Sequence, residues 1–389
     1  MLKKTLTMAA GLAMLGSAVQ ADDQTVDIGF VTTLTVGPAV IGRDMQDAVD
    51  LAVEHLGGAM AGKKINVIYE DDGFKPEIGK QKTEKLVNSD NVDFVAGYIW
   101  SNVLLASYKS VVGNGPFLIS SNAGPSQIAG KLCHEDFFST SWQNDQTPMA
   151  MGEVLNQRGV KSLYIMAPNY AAGKNMVEGV ERTYKGEIVG KDMTKWPGQL
   201  DFSAELAKAR ASGAEAVFVF YPGKAGVQFF KQYEQAGLKS EIPLYSVFTV
   251  DSISLPLLKD LAVGSLNTQT WSPDLDNATN KKFVADYKAK TGRYPSFYAA
   301  QSYDTILLIN SAVEAVNGDL SDKAGMRAAM KKADFESTRG RYSYGNNHFP
   351  IQNFYLREAY KNEAGEYTVK TVQTVFENHQ DSYASECGM

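Results

Sequence analysis

Hydroxyl and aromatic residues stand where a predicted strand gives way to a helix or loop. The clearest case is the stretch GYIWSN, in which Tyr98, Trp100 and Ser101 separate the apolar run VDFVAG from the helical run VLLASYKSVV. A serine and free backbone N–H groups at the start of a helix can bind an anion. A tryptophan offers a broad apolar face to a flat ligand. The stretch therefore predicts a site for an organic anion with an apolar body.

The same kinds of residue follow other predicted strands in both halves of the chain. Each has a simpler explanation, because a serine can merely cap a helix, tryptophans can pack in a core or a hinge, and an arginine at a helix start can be solvated. Their shared position at strand ends favours a common binding site. The candidate ligand-binding residues are Arg43, Tyr98, Trp100, Ser101, Ser121, Asn122, Ala123, Trp142, Tyr170, Phe248, Thr249 and Trp271.

Patterns typical of catalysis or of metal binding are missing from the sequence. The four histidines are scattered without metal-ligand spacing, there is no GxSxG motif, and no GxGxxG follows the first strand. The stretch GFKPEIGKQ resembles a phosphate-binding loop, but its glycine spacing is one residue too long and Gln81 replaces the required hydroxyl. We expect no catalytic residue, metal or cofactor, although an active site assembled from distant residues stays open.

Alternating strands and helices must position these residues. From Val26 onward apolar runs alternate with helical runs, and the pattern restarts near Ser141-Trp142-Gln143. Repeated βα units predict parallel sheets with helices on both faces. We expect an α/β fold of two doubly wound lobes joined by several chain crossings that act as a hinge. The cleft would lie at the carboxyl ends of both sheets, where such folds bind ligands.

The N-terminus, residues 1–21, has the pattern of a secretory signal peptide. Lys3 and Lys4 precede a short apolar segment, and Val19-Gln20-Ala21 provides a cleavage site. The cleavage site has no cysteine, the residue to which a bacterial lipid anchor is attached. The sequence thus predicts an exported periplasmic protein without a lipid anchor. Its net charge is −6 and it has no basic cluster, so we expect no nucleic-acid partner.

The chain contains two cysteines, Cys133 and Cys387. Cysteines of exported proteins usually pair, so we expect one disulfide that joins the C-terminal tail to the middle of the chain. Two unpaired thiols are the alternative.

Taken in order, many stretches resemble the type I periplasmic solute-binding proteins of the branched-chain amino acid ABC-transporter family. The resemblance covers essentially the whole mature chain. It implies a two-lobed protein with three hinge crossings that closes around its ligand and delivers it to an inner-membrane permease. The stretches are VDIGFVTTL, AVDLAVEHLGGAMAGKKINVIYEDD, VAGYIWS, FLISSNAG, APNYAAGKNMVEGV, LDFSAELAKARASGAEAVFVFYPG, FFKQYEQAGL and YPSFYAAQSYDTILLINSAVEAV.

For this architecture we expect two lobes that are discontinuous in sequence. The first comprises residues 24–141 and about 273–344, and the second comprises residues 142–272 and about 345–385. The tail from Arg341 to Phe376 is tyrosine-rich and alternating around an NEAGEY turn, which predicts antiparallel strands. We expect the protein to be a monomer.

The resemblance also implies roles for particular residues. Ser101 and the backbone amides of Ser121, Asn122 and Ala123 would hold a ligand carboxylate, and Tyr170 would reach in from the second lobe. Amino acid binders of this family hold the ligand ammonium with an acidic residue after the PLYSVFT-like strand. This chain has Phe248 and Thr249 there, with Asp251 as an approximate substitute.

That departure bears on the ligand, because a buried ammonium without a partner costs several kcal/mol. We expect a small aromatic carboxylate, such as a benzoate or cinnamate derivative, as in the aromatic-acid-binding branch of the family. A branched-chain or other hydrophobic amino acid, with Asp251 or Glu70 as the ammonium partner, is the alternative. A ligand sensor and an exported enzyme also stay open.

Overall fold

The computed structural model describes residues 24–389, so the predicted signal peptide lies outside the described residues. The described strands form two sheets. The strands are β1 Thr25–Thr32, β2 Ala59–Met60, β3 Lys63–Asp71, β4 Phe94–Gly97, β5 Phe117–Ser120, β6 Phe137–Ser139, β7 Ser162–Pro168, β8 Glu187–Thr194, β9 Ala216–Phe220, β10 Leu244–Val247, β11 Leu266–Gln269, β12 Ser343–Tyr344, β13 Pro350–Lys361 and β14 Tyr367–His379.

Helices cover both sheets, and no helix within residues 24–389 is both long and apolar enough to cross a membrane. The helices are α1 Ala39–His55, α2 Pro76–Asn88, α3 Ser101–Ser107, α4 Ser126–Ala129, α5 Gln146–Gln157, α6 Ala171–Thr183, α7 Ser203–Ala211, α8 Lys224–Gln235, α9 Leu255–Leu258, α10 Ala278–Thr291, α11 Phe297–Ala315 and α12 Lys323–Lys332.

The first sheet has the strand order β2-β3-β1-β4-β5-β6 and is parallel except where β2 meets β3. The second has the order β12-β13-β11-β10-β9-β7-β8, with β14 beside β13. It is parallel from β11 to β8 and antiparallel at β12, β13 and β14. The predicted α/β class with two doubly wound lobes is confirmed, and both sheets are mixed because short or C-terminal strands add antiparallel edges.

Burial on both faces explains the unbroken apolar strands. Strands β4 (FVAG) and β9 (AVFVF) are entirely buried, because helices cover both sides of each sheet. The hairpin of β13 and β14 closes through the predicted NEAGEY turn. Several residues of β14 are exposed, because this strand pairs with β13 at the margin of the sheet.

Residues 140–145, 270–277 and 333–342, called the first, second and third crossing, link elements that pack with the first sheet to elements of the second. Helix α11 packs against α1 and α12 packs against α11, so residues 278–332 belong with the first sheet. Arg339 in the third crossing donates to the carbonyl oxygens of Thr140 (2.7 Å) and Ser141 (3.2 Å) in the first crossing. It also pairs with buried Asp304 on α11 at 3.3 Å. These bonds tie two crossings together; the residue limits of the lobes as folding units stay a prediction.

The disulfide is confirmed: Cys133 and Cys387 are bonded, with their Cα atoms 5.7 Å apart. The bond spans 254 residues of sequence. It attaches the C-terminal segment to the loop after α4. In the chain-entropy account, a cross-link over so long a loop restricts the unfolded chain strongly.

Removal of this cross-link tests its contribution. We expect the double variant Cys133→Ser/Cys387→Ser to lose about 2–5 kcal/mol of unfolding free energy, because its unfolded state is less restricted. Urea unfolding followed by circular dichroism measures the loss. Equal stability of the variant and the oxidised wild type would show that the bond contributes nothing.

A buried histidine lies in the turn between β12 and β13. The His348 ring stacks on Phe138 with centroids 4.1 Å apart, and its Nδ1–H donates to the carbonyl oxygen of Phe137 at 2.9 Å. Burial lowers the pKa of His348 to about 4, and the cationic groups of Lys331 and Arg327 act in the same direction. The folded protein therefore keeps this ring neutral where the unfolded chain would protonate it.

This difference makes the His348 contribution to stability depend on pH. The unfolded chain binds the extra proton between pH 6.5 and about 4, so the contribution is present above pH 6.5 and is lost as pH falls through this window. As pH rises from about 4 to 6.5, the unfolding free energy of the wild type relative to His348→Asn should increase by about 3 kcal/mol. Urea titrations of both proteins at several pH values measure this. Parallel pH profiles would contradict the assignment.

Candidate functional site

A cavity lies between the lobes, at the carboxyl ends of β4 and β5 on one side and of β7, β9 and β10 on the other. Its empty volume is about 290 Å³, including the space that opens to solvent. Every residue around it is buried. The lining residues are Ile99, Trp100, Ser101, Asn122, Ala123, Trp142, Asn144, Tyr170, Ala172, Met176, Phe220, Pro222, Phe248 and Tyr298.

The first lobe and the first crossing provide hydrogen-bonding groups. The Ser101 hydroxyl oxygen accepts a bond from the Asn144 side-chain amide at 3.0 Å, which leaves its own proton free to donate. Ser101 is the first residue of α3 and not its cap, since Trp100 holds the cap position. Among the described residues, the backbone N–H groups of Ser101 and Asn122 have no hydrogen-bond partner. A carboxylate could accept hydrogen bonds from all three groups: the Ser101 hydroxyl and the two backbone N–H groups.

A close backbone approach positions this polar end. Gly124 donates its N–H to the Asn144 side-chain oxygen at 3.1 Å, and the N–H of Asn144 donates to the Gly124 carbonyl at 2.8 Å. A Cβ at Gly124 would overlap the carbonyl oxygen of Trp142. Only glycine lets the loop after β5 pack this tightly against the first crossing, and this packing holds Asn144 beside Ser101.

Aromatic rings form most of the remaining wall. Phe248 lies 4.8 Å from Trp142 and 5.4 Å from Phe220, measured between ring centroids. Burial raises the pKa of the Tyr170 and Tyr298 hydroxyls, so both stay protonated. Neither hydroxyl has a hydrogen-bond partner among the described residues, and the same holds for the Trp142 indole N–H. The cavity therefore combines apolar faces with neutral donors.

Trp100 is held in place from behind. Its indole N–H donates to the Thr33 hydroxyl at 2.8 Å, and Thr33 donates to the buried Asp72 carboxylate at 2.6 Å. The indole is therefore fixed before any ligand arrives.

No Asp, Glu, Lys, Arg or His lines the cavity. The Asp251 carboxylate accepts the N–H groups of Ile253 (2.8 Å) and Ser254 (3.0 Å) in its own loop, and burial raises its pKa to about 6. Glu70 forms ion pairs with Lys82 and Lys85 of α2. Neither acid lines the cavity, so a ligand ammonium would meet no carboxylate there.

The structure brings seven predicted binding residues together and leaves five away from the cavity. The seven are Trp100, Ser101, Asn122, Ala123, Trp142, Tyr170 and Phe248. The Ala123 backbone, however, is used within the lobe, because its N–H donates to the Tyr98 carbonyl at 3.0 Å. Its amide therefore cannot hold a carboxylate as expected.

The five other residues have structural partners instead. The Tyr98 hydroxyl bonds Thr83 at 2.7 Å in the first-lobe core, because the positive φ of Tyr98 turns its side chain away from the cavity. The Ser121 hydroxyl bonds Thr305 on α11 at 2.8 Å, and its N–H donates to the Gly97 carbonyl at 2.8 Å.

The remaining three lie further along the chain or at the surface. The Thr249 hydroxyl accepts the backbone N–H of Tyr221 at 2.9 Å and so joins two loops of the second lobe. The indole of Trp271 in the second crossing donates to the Asn280 side-chain oxygen of α10 at 2.7 Å. Arg43 is exposed, and its guanidinium donates to the Leu34 carbonyl oxygen at 3.4 Å.

Several lining residues were not predicted. Phe220 and Pro222 flank Tyr221 at the end of β9, and the alternation of side chains along a strand could have indicated them. Asn144 and Tyr298 come from the first crossing and from α11, far from any strand end. No sequence pattern marks them, because only the closure of the lobes brings them to the cavity.

Two α/β lobes that are joined by three crossings and face each other across a cavity define a bilobal ligand-binding protein. The chain belongs to the periplasmic binding protein family, whose sequence model matches residues 25–364.

Relatives and solved structures agree with this assignment. "Leu/Ile/Val-binding protein homolog 6" of Brucella melitensis is 29% identical over 98% of both chains. A benzoate-bound solute-binding protein of an ABC transporter from R. palustris superposes with a TM-score of 0.88 at 29% identity, over 94% of this chain and 100% of that chain. A second, from Rhodopseudomonas palustris BisB5 with 3,4-dihydroxybenzoic acid, gives 0.85 at 28% identity, over 92% and 99%. The chain is a solute-binding protein of an ABC transporter, not an enzyme.

Proposed function

We propose that this solute-binding protein takes a small aromatic carboxylate, such as a benzoate or cinnamate derivative, into the cavity between its lobes. The observation that supports this most is the lining itself: six aromatic side chains and several neutral donors, with no acidic or basic side chain. The ring would lie against Trp142, Phe220 and Phe248. The carboxylate would accept hydrogen bonds from the Ser101 hydroxyl and from the backbone N–H groups of Ser101 and Asn122.

The energies favour this pairing. A micromolar complex needs about −8 kcal/mol, which burial of a ring together with hydrogen bonds to a charged group can provide. An amino acid would bring an ammonium into the same cavity. Its desolvation without a partner costs several kcal/mol, which would cancel much of the gain.

The relatives support two ligand classes. The two Rhodopseudomonas structures, with benzoate and 3,4-dihydroxybenzoic acid, favour the aromatic acid. The Brucella relative carries the name of a Leu/Ile/Val-binding homologue, which makes a branched-chain amino acid the second candidate. The uncharged cavity wall supports the acid over the amino acid.

We also infer the location and the partner of the protein. The signal-peptide pattern in residues 1–21 and the periplasmic members of the family support a periplasmic location. Delivery of the ligand would require an inner-membrane ABC permease. We expect a monomer, because one chain provides every residue that lines the cavity.

A ligand screen tests the proposed class. At a hundred times its dissociation constant, benzoate should stabilise the purified mature protein by about 2.7 kcal/mol and raise its melting temperature by roughly 4 °C. Leucine, isoleucine and valine should give no shift. Differential scanning fluorimetry, followed by calorimetry on each hit, measures both. A shift with leucine and none with aromatic acids would overturn the ligand class and leave the family unchanged.

A pair of serine variants tests the carboxylate position. Ser101→Ala removes a donor to a charged group and should weaken benzoate binding by about 10- to 100-fold, without lowering the melting temperature of the free protein by more than a few degrees. Ser121→Ala is the matched control, because its hydroxyl bonds Thr305 away from the cavity. Calorimetry should find benzoate affinity unchanged in the control. Equal affinities of Ser101→Ala and wild type would remove Ser101 from the site.

A further inference from the structure

A third tryptophan, Trp196, stands beside the cavity without lining it. Trp196 lies in the loop between β8 and α7 of the second lobe and is partly buried. Its indole stacks on the Tyr170 ring, with centroids 4.1 Å apart and an angle of 7° between the planes. Tyr170 in turn lines the cavity. Trp196 therefore covers one face of the Tyr170 ring, and Tyr170 is a wall of the cavity.

Trp196 also reaches across the cleft to the first lobe. Its ring centroid lies 5.0 Å from that of Phe74 and 5.5 Å from that of Trp100. Phe74 and Trp100 contact each other at 4.5 Å. The Trp196 indole thus packs against two first-lobe rings that also contact each other. Both of its contacts must break when the lobes separate.

The first lobe holds that pair of rings in place. The Asp72 carboxylate oxygen Oδ1 accepts the backbone N–H of Phe74 at 2.8 Å and the hydroxyl of Thr33 at 2.6 Å. Thr33 accepts the indole N–H of Trp100 at 2.8 Å. One buried acid therefore fixes both rings, and the first lobe presents a preformed aromatic surface to Trp196.

These contacts lie outside the ligand cavity. Phe74 and Trp196 line a separate groove between the lobes, and Trp100 and Pro222 separate this groove from the cavity. Any energy gained when Trp196 meets Phe74 is therefore independent of which ligand the cavity holds. Such a contact adds to the stability of the closed form relative to the open form.

We propose that Trp196 is a latch: its packing against Phe74 and Trp100 of the opposite lobe holds the closed state and sets how slowly the ligand leaves. Trp196 is a positioning residue and does not select the ligand. The inference goes beyond the proposed function, and it rests on that function only for the choice of benzoate as the first probe.

Stopped-flow kinetics with benzoate test the latch. Trp196→Ala removes two aromatic contacts between the lobes, and the dissociation rate should rise about tenfold. The association rate should change less than about twofold, because ligand enters the open form before the latch forms. The ratio of benzoate to 4-hydroxybenzoate affinities should stay the same. A dissociation rate equal to that of the wild type, or an altered affinity ratio, would overturn the latch.

Two further variants separate the latch from general damage to the loop. Leu200→Ala is the matched control, because Leu200 is exposed in the same loop and lines the same groove but carries no aromatic ring. Its dissociation rate should equal that of the wild type. Phe74→Ala should reproduce part of the effect, and Trp196→Ala should cost less in the Phe74→Ala background than alone. Strictly additive effects of the two substitutions would contradict the contact.

The latch and the ligand class fail separately. If benzoate does not bind the wild type and leucine does, the proposed ligand class is wrong, and leucine becomes the probe. The latch then predicts the same tenfold increase in the leucine dissociation rate for Trp196→Ala, because Trp196 touches neither ligand. An unchanged leucine rate would overturn the latch.

Discussion

A buried charge needs a partner, and this requirement governs the site. The residues that line the cavity are buried, and none of them is acidic or basic. Any charge that a ligand brings must be stabilised by neutral groups of the cavity wall. Otherwise the free-energy cost of removing that charge from water is not compensated. The cavity offers donors at Ser101 and Asn122 and hydroxyl groups at Tyr170 and Tyr298, so it can compensate a carboxylate. No carboxylate lines it to pair with an ammonium, because Asp251 lies outside the lining and its Oδ1 accepts the N–H groups of its own loop.

The fold supplies this environment by dividing the work between the lobes. Parallel strands end at the same edge of each sheet, so the loops after them converge on the cleft. The first lobe brings polar loops, which close packing at Gly124 holds in place. The second lobe brings mainly rings. Arg339 ties two of the crossings, and Asp72 fixes Trp100 from behind, so that closure joins two surfaces that are already ordered.

The fold was largely predictable from the sequence, because βα alternation is a local pattern. The site was predictable only where a strand end decides it, as at Ser101 and Phe248. Tyr98 and Ser121 also follow strands, but the backbone turns their side chains into the first lobe, which residue types do not reveal. Tyr298 and Asn144 reach the cavity from α11 and a crossing, and Trp196 comes from an irregular loop. Their positions depend on how the lobes meet, and no local pattern encodes that.

The central claim is that this cavity accepts an organic acid and rejects the same molecule carrying an ammonium. Leucine and 4-methylpentanoate test it most directly, because they differ only in the amino group. Calorimetry on the wild-type protein gives both dissociation constants. The account predicts that 4-methylpentanoate binds at least about a hundredfold more tightly, since a buried unpaired ammonium costs several kcal/mol. Leucine binding as tightly as 4-methylpentanoate, or more tightly, would contradict it.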